Sequence, residues 1–170
     1  MNAPPPPSKR PTLDTVTVLA RWFLGACFLY MGWSKAMRPQ DFLELVREYN
    51  VVANPFLLNS IASLLPWFEV FCGLLLLAGV AVRGTAVVLI AMLVPFTLLV
   101  VRRALALSAQ GLPFCAIKFD CGCGSGEVFI CHKIVENSGL FLLACWLLAG
   151  RGRQLCLRFN LFADPEIGGS

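Results

Sequence analysis

The chain has 170 residues, of which 58% are hydrophobic and 14% charged, whereas a soluble domain averages about 45–50% apolar and about 25% charged. That excess is too large for one buried core and is gathered into runs long enough to cross a bilayer, each of which needs about 20 apolar residues. The net charge of +4 does not point to nucleic acid, because the basic residues stand singly or in pairs at the ends of apolar runs, where they anchor helices to headgroups.

These features predict an all-α fold: an integral membrane four-helix bundle with a cysteine-rich loop between the third and fourth spans. Residues 1–15, opening MNAPPPPSKRP, read as a disordered proline-rich arm. No cleavable signal peptide is expected, since the first apolar run is too long for a signal core and no small-residue cleavage site follows it. The membrane domain is expected over 16–150.

The first span is expected at about 16–37, with Trp22, Tyr30 and Trp33 placed as interfacial aromatics and Arg21 and Lys35 near its two ends. Pro39 blocks its continuation. From Asp41 to Tyr49, Phe42, Leu45, Val46 and Tyr49 fall on one helical face, which suggests a short amphipathic helix lying in the interface. Asn54 and Pro55 read as a turn. The second span is expected at about 64–82, with Pro66, Trp67 and Glu69 in its first turns, and the third at about 85–101. The connection between them is short enough to require an antiparallel hairpin. A loop at 104–133 precedes the last span at about 134–149, and a polar tail covers 151–170.

Four spans put both termini on one side and the cysteine loop on the other. Charge does not say which side faces the cytoplasm: Lys9, Arg10, Arg21, Arg83, Arg151, Arg153 and Arg158 oppose Lys35, Arg38, Arg47, Arg102, Arg103, Lys118 and Lys133.

The eight cysteines are unevenly placed. Cys27, Cys72 and Cys145 lie within spans, where cysteine behaves as a small apolar residue, and Cys156 follows the last span. Cys115, Cys121, Cys123 and Cys131 crowd one loop, PFCAIKFDCGCGSGEVFICHK. One reading makes Cys121 and Cys123 a redox pair, because a disulfide across one residue closes a small strained ring and strained, exposed disulfides are the oxidising ones. Cys115 and Cys131 would then be a second pair that relays electrons or staples the loop. A second reading is purely structural disulfides. A third has the thiolates, with His132, binding zinc or an iron–sulfur centre, although zinc knuckles favour two to four residues between paired cysteines.

A carboxylate in a membrane span costs at least a few kcal/mol unless paired or wetted, so Glu69 is a functional candidate by default. Connectivity places it on the side of the cysteine loop with Lys35 rather than with Arg21. Glu136 and Asn137 start the last span on that side. A polar cluster of Lys35, Glu69, Glu136 and Asn137 is therefore expected, serving either chemistry or helix packing through interhelical hydrogen bonds.

Arg21 with LGACFLYMGWSK (Leu24 to Lys35), PWFEVFCGLLLLAG (Pro66 to Gly79), DCGCG (Asp120 to Gly124) and the polar start of the last helix together resemble the DoxX-like membrane proteins, especially their methylamine-utilisation branch, MauE. The resemblance implies a four-helix bacterial inner-membrane protein with cytoplasmic termini and a periplasmic Cys-x-Cys loop, associated with redox or disulfide chemistry. It implies a periplasmic thioredoxin-like partner or a disulfide-rich client dehydrogenase and, from other DoxX relatives, a quinone. The carry-over falls on Arg21, Lys35, Pro66, Glu69, Cys121 and Cys123; candidates to hold a cofactor are Arg21, Trp67, Glu136 and Asn137. Family members often follow the Cys-x-Cys with phenylalanine and glycine and carry an arginine–asparagine pair. This chain has Gly124-Ser125-Gly126 and Glu136-Asn137 instead, plus Cys115, Cys131 and His132. The expected activity is thiol–disulfide exchange; the alternatives are a non-catalytic assembly or accessory subunit and a metal-binding subunit.

Overall fold

A computed structural model describes residues 11–48, 54–120 and 127–149. Four long helices form the bundle: α1 (Pro11–Met37), α3 (Pro55–Ala78), α4 (Val82–Ser108) and α5 (Ile130–Ala149), with a short α2 (Pro39–Glu48) between the first two. All four long helices are long and apolar enough to cross a bilayer. In such a chain the aromatic and leucine side chains that stand exposed along the helices, such as Phe23, Leu64, Phe71, Leu98 and Leu142, face lipid.

Each helix buries a stripe at alternating three- and four-residue steps, the spacing of one helical face. In α5 the stripe is Ile130, Lys133, Asn137, Leu140, Ala144 and Leu147. In α1 it includes Arg21, Leu24, Phe28, Met31 and Lys35. The main core joins Leu24, Phe28 and Met31 to Cys72 and Leu76 of α3, to Ala86, Leu89 and Leu93 of α4, and to Leu140, Ala144 and Leu147 of α5.

The tightest seam is α1 against α3, made by glycines. A Cβ on Gly32 would lie 2.7 Å from the Pro66 carbonyl oxygen and 2.8 Å from the Val70 nitrogen, and one on Gly73 would lie 2.8 Å from the Leu29 nitrogen. With small residues at the crossing, backbones approach closely enough for dispersion and polar contacts to hold helices together where lipid supplies no hydrophobic drive.

The second membrane helix begins at Pro55 rather than near Leu64. Asn54 and Pro55, read above as a turn, start the helix: the Asn54 side chain accepts from the Phe56 N–H at 2.9 Å, and proline suits the first helical position, where its missing N–H has no partner to lose. Glu69 therefore stands about four turns into the helix, not one. The early turns of α3 carry α2, whose buried Phe42 packs on Ala62 with Leu43, Val46 and Leu65 around it. So α2 is docked on the protein through Phe42 and Val46; Tyr49 lies outside the described residues.

At the far end of the bundle, α3 stops at Gly79, which takes the left-handed conformation (φ 71°) while Val80 N–H reaches back to the Leu75 carbonyl at 2.9 Å. This arrangement satisfies the last carbonyls and turns the chain into α4. At the loop end, α4 continues to Ser108, past Arg102 and Arg103. The loop has structure of its own: a single 3-10 turn at Phe114–Ala116, then a two-stranded antiparallel hairpin of β1 (Lys118–Asp120) and β2 (Glu127–Phe129). The Lys118 ammonium sits 4.8 Å from the centre of the ring of its cross-strand neighbour Phe129. Ile117 and Ile130 close the hairpin base with a backbone bond of 3.1 Å and bury against Ala104 of α4.

A candidate site under the cysteine loop

Two features meet at the loop end of the bundle. The first is a disulfide between Cys115, in the 3-10 turn, and Cys131, the second residue of α5. It ties the start of the hairpin to the helix that leaves it. The connection between the strands, residues 121–126, carries Cys121 and Cys123, which lie outside the described residues.

The second is a charged site within the helices. Lys35 donates to both oxygens of Glu69, at 2.7 and 2.8 Å, and both residues are buried. The ammonium also stands 5.4 Å from the ring centre of Phe42 and 5.7 Å from that of Phe96, so its non-carboxylate surroundings are aromatic faces, which attract a cation. Phe28, Met31, Met92, Leu93, Lys133 and Asn137 complete the lining, so all four membrane helices contribute. Lys133, only 1% exposed, donates to Glu136 at 3.0 Å, and Asn137 donates to the Thr97 hydroxyl of α4 at 3.2 Å. The space among these side chains is about 30 Å³, room for about two water molecules.

A model of the methylamine utilisation protein MauE matches residues 13–150. The chain belongs to the MauE family. Membership implies a role in methylamine utilisation for a multi-pass membrane protein, and the matched region takes in the whole bundle and the cysteine loop. No curated protein matches the chain, and no solved structure does.

Within this MauE-family bundle the sequence candidates separate by depth. Lys35, Glu69 and Asn137 line one site. Glu136 does not line it; its side chain is 41% exposed and binds Lys133 from outside. Arg21 is buried in the same stripe as Lys35 but about 21 Å along the helix from it, toward the end where Trp146 donates to Thr17 at 3.4 Å. Trp67 is exposed on the lipid side of α3, in a groove with Leu64, Phe68 and Phe71. His132 is exposed beside Cys131. Among the described residues no three His, Cys, Asp or Glu side chains stand close enough to share a metal ion.

Sequence reasoning missed Lys133, Phe42, Phe96 and Thr97. Lys133 was counted as one more flanking cation, yet it falls four residues before Asn137 and seven before Leu140, on the buried stripe. That spacing was the available signal. Phe42 and Phe96 had none, since being apolar does not distinguish an aromatic over an ammonium from one facing lipid.

Proposed function

We propose that the protein is a thiol–disulfide redox component of the bacterial inner membrane that serves a periplasmic partner in methylamine utilisation. The cysteine loop faces the periplasm and the termini the cytoplasm. The observation that carries this reading is the Cys115–Cys131 disulfide: it fastens the hairpin bearing Cys121 and Cys123 onto the helix that supplies Lys133 and Asn137 to the charged membrane site. The resemblance to DoxX-like proteins supports the same chemistry.

In this reading the Cys121–Cys123 disulfide takes two electrons and two protons from a dithiol of a disulfide-rich client or its thioredoxin-like partner. The client leaves with a new disulfide, and the protein holds two thiols. Those thiols return to the disulfide by passing two electrons and two protons to a lipid-soluble quinone, which leaves as quinol. Thiolate attack through a mixed disulfide is the ordinary route for the first exchange.

Trapping tests it. With a client keeping one cysteine of its dithiol, the mixed disulfide formed when that thiolate attacks the Cys121–Cys123 disulfide has no second client thiol to resolve it and is expected to accumulate on non-reducing gels. If no adduct forms, and Cys121→Ser/Cys123→Ser leaves the client's disulfides intact, thiol exchange is wrong. The disulfide at the hairpin base also favours a second reading, an accessory subunit whose cysteines brace the loop. There the serine variants lower protein abundance while partner activity per molecule stays unchanged.

A further inference from the structure

The charged site meets the loop end of the protein through one pair of side chains. Glu136 keeps 41% of its side chain exposed while accepting from the Lys133 ammonium at 3.0 Å, and the Lys133 side chain is 1% exposed. An ionised carboxylate facing hydrocarbon costs at least a few kcal/mol; Glu136 stands about 8 Å along α5 from Cys131 of the disulfide, so its open side belongs to the water at that end. Lys133 also lines the space of about 30 Å³ that holds Lys35, Glu69 and Asn137. One ammonium therefore touches the exposed carboxylate on one side and the buried site on the other. Water in that space, about two molecules of it, finds donors in Lys133 and acceptors in the spare lone pairs of Glu69. In the other direction Met31, Phe28 and Leu24 continue the α1 stripe for about three turns, inside a core cluster that contains no charged side chain.

We propose that Glu69 is a proton-loading site, filled from the loop side through Glu136 and Lys133 and closed to the opposite side. A proton from loop-side water binds the Glu136 carboxylate. Lys133 gives one of its own protons to water in the site and takes the Glu136 proton in its place, and that water passes a proton to a Glu69 oxygen. The net change is one proton moved from loop-side water to Glu69; no electron moves, and Glu136, Lys133 and the water are restored. Glu69 is then a neutral carboxyl, and Lys35 remains a cation beside its carbonyl oxygen and the rings of Phe42 and Phe96, at 5.4 and 5.7 Å. Those two faces hold the ammonium when its counter-charge is gone, a task that a permanent ion pair does not set. The titratable groups around Glu69 are Lys35 from α1, Lys133 from α5 and, three residues along α3, the buried Cys72. To this site α4 adds only apolar and aromatic side chains, and α2 adds Phe42 over the ammonium.

Only the use of that proton, as a companion to electron transfer, rests on the thiol-exchange reading; its uptake does not. The full-length protein is reconstituted in liposomes with the cysteine loop outward and followed by attenuated-total-reflection infrared spectroscopy, which reads a buried carboxyl without a reagent having to enter. Rapid acidification of the outside should raise a protonated-carboxyl band that is missing in Glu69→Gln and in the charge-free Lys35→Met/Glu69→Leu. Acidification of the interior alone should not raise it. Glu136→Gln still offers Lys133 a hydrogen-bond acceptor but carries no proton, and should slow the rise of the band by about tenfold or more; Glu136→Asp should restore most of the rate. A Glu69 band that answers to interior acidification, one that rises as fast in Glu136→Gln as in the native chain, or no such band short of unfolding each overturns the proposal. Cys121→Ser/Cys123→Ser protein should take up the proton as the native chain does, so failure of thiol exchange and failure of proton loading are told apart.

Discussion

Replacing one partner of the Lys35–Glu69 pair asks what the pair is for. In Glu69→Leu the buried ammonium keeps only the ring faces of Phe42 and Phe96, worth about 0.5–2 kcal/mol, against the roughly 3–5 kcal/mol cost of stranding a buried charge. A net loss of about 1–4.5 kcal/mol is expected. Lys35→Met strands the carboxylate instead, with no cation–π contact in compensation, and should cost more. The double variant Lys35→Met/Glu69→Leu removes both charges and should recover most of the stability, because buried pairs replaced by apolar residues of similar volume are often neutral or better. Unfolding in mixed bicelles on titration with dodecyl sulfate, followed by tryptophan fluorescence, reads all four species of the cycle. A coupling energy of about 2 kcal/mol or more is expected; single losses that add within about 0.5 kcal/mol would show that the pair is not coupled. The double variant then carries a second readout: stable protein with no client oxidation marks the pair as part of the chemistry, whereas full activity marks it as helix packing alone.

Gly32→Ala places a methyl against the Pro66 carbonyl and the Val70 nitrogen, both backbone, so α1 and α3 must separate; a loss of about 1–3 kcal/mol is expected in the same assay. Gly139→Ala meets nothing within 4 Å and should be neutral or stabilise by up to about 1 kcal/mol, which makes it the control; equal losses in the two variants would refute the close-approach argument. Removing the disulfide with Cys115→Ala/Cys131→Ala frees a loop of sequence separation 16, worth about 3 kcal/mol in the chain-entropy account. Hydrogen exchange should rise over Ile130–Asn137 and not over α3, and unchanged protection of α5 would show that the disulfide is no clamp.

The fold was legible because bilayer crossing demands long apolar runs, and the charges that interrupt those runs are costly enough to be informative. Lys35 and Glu69 were paired from connectivity alone, since the end of one antiparallel helix lies beside the next. The start of α3 was misread because Asn54 and Pro55 serve equally as turn residues and as cap and first helical residue; Asn59, Ser60 and Ser63 further dilute the apolar signal there. The β1–β2 hairpin could not be read, because two three-residue strands leave too short an alternation to register. Glu136 and Lys133 show a different limit: charge alone suggested the carboxylate as a site residue, whereas helical phase puts the lysine inside and the carboxylate outside.

That helical phase also sets which residues join the loop to the charged site. The first two turns of α5 touch both features: Cys131 is in the disulfide, while Lys133 and Asn137 line the charged site. Ile130 fixes the same segment to the hairpin base through Ile117 and to α4 through Ala104. Both lysines of the site are paired, Lys35 with Glu69 and Lys133 with Glu136. One helix start thus holds both the Cys131 half of the disulfide and the Lys133 and Asn137 side chains of the charged site, so a change of α5 phase by one residue would disturb both at once.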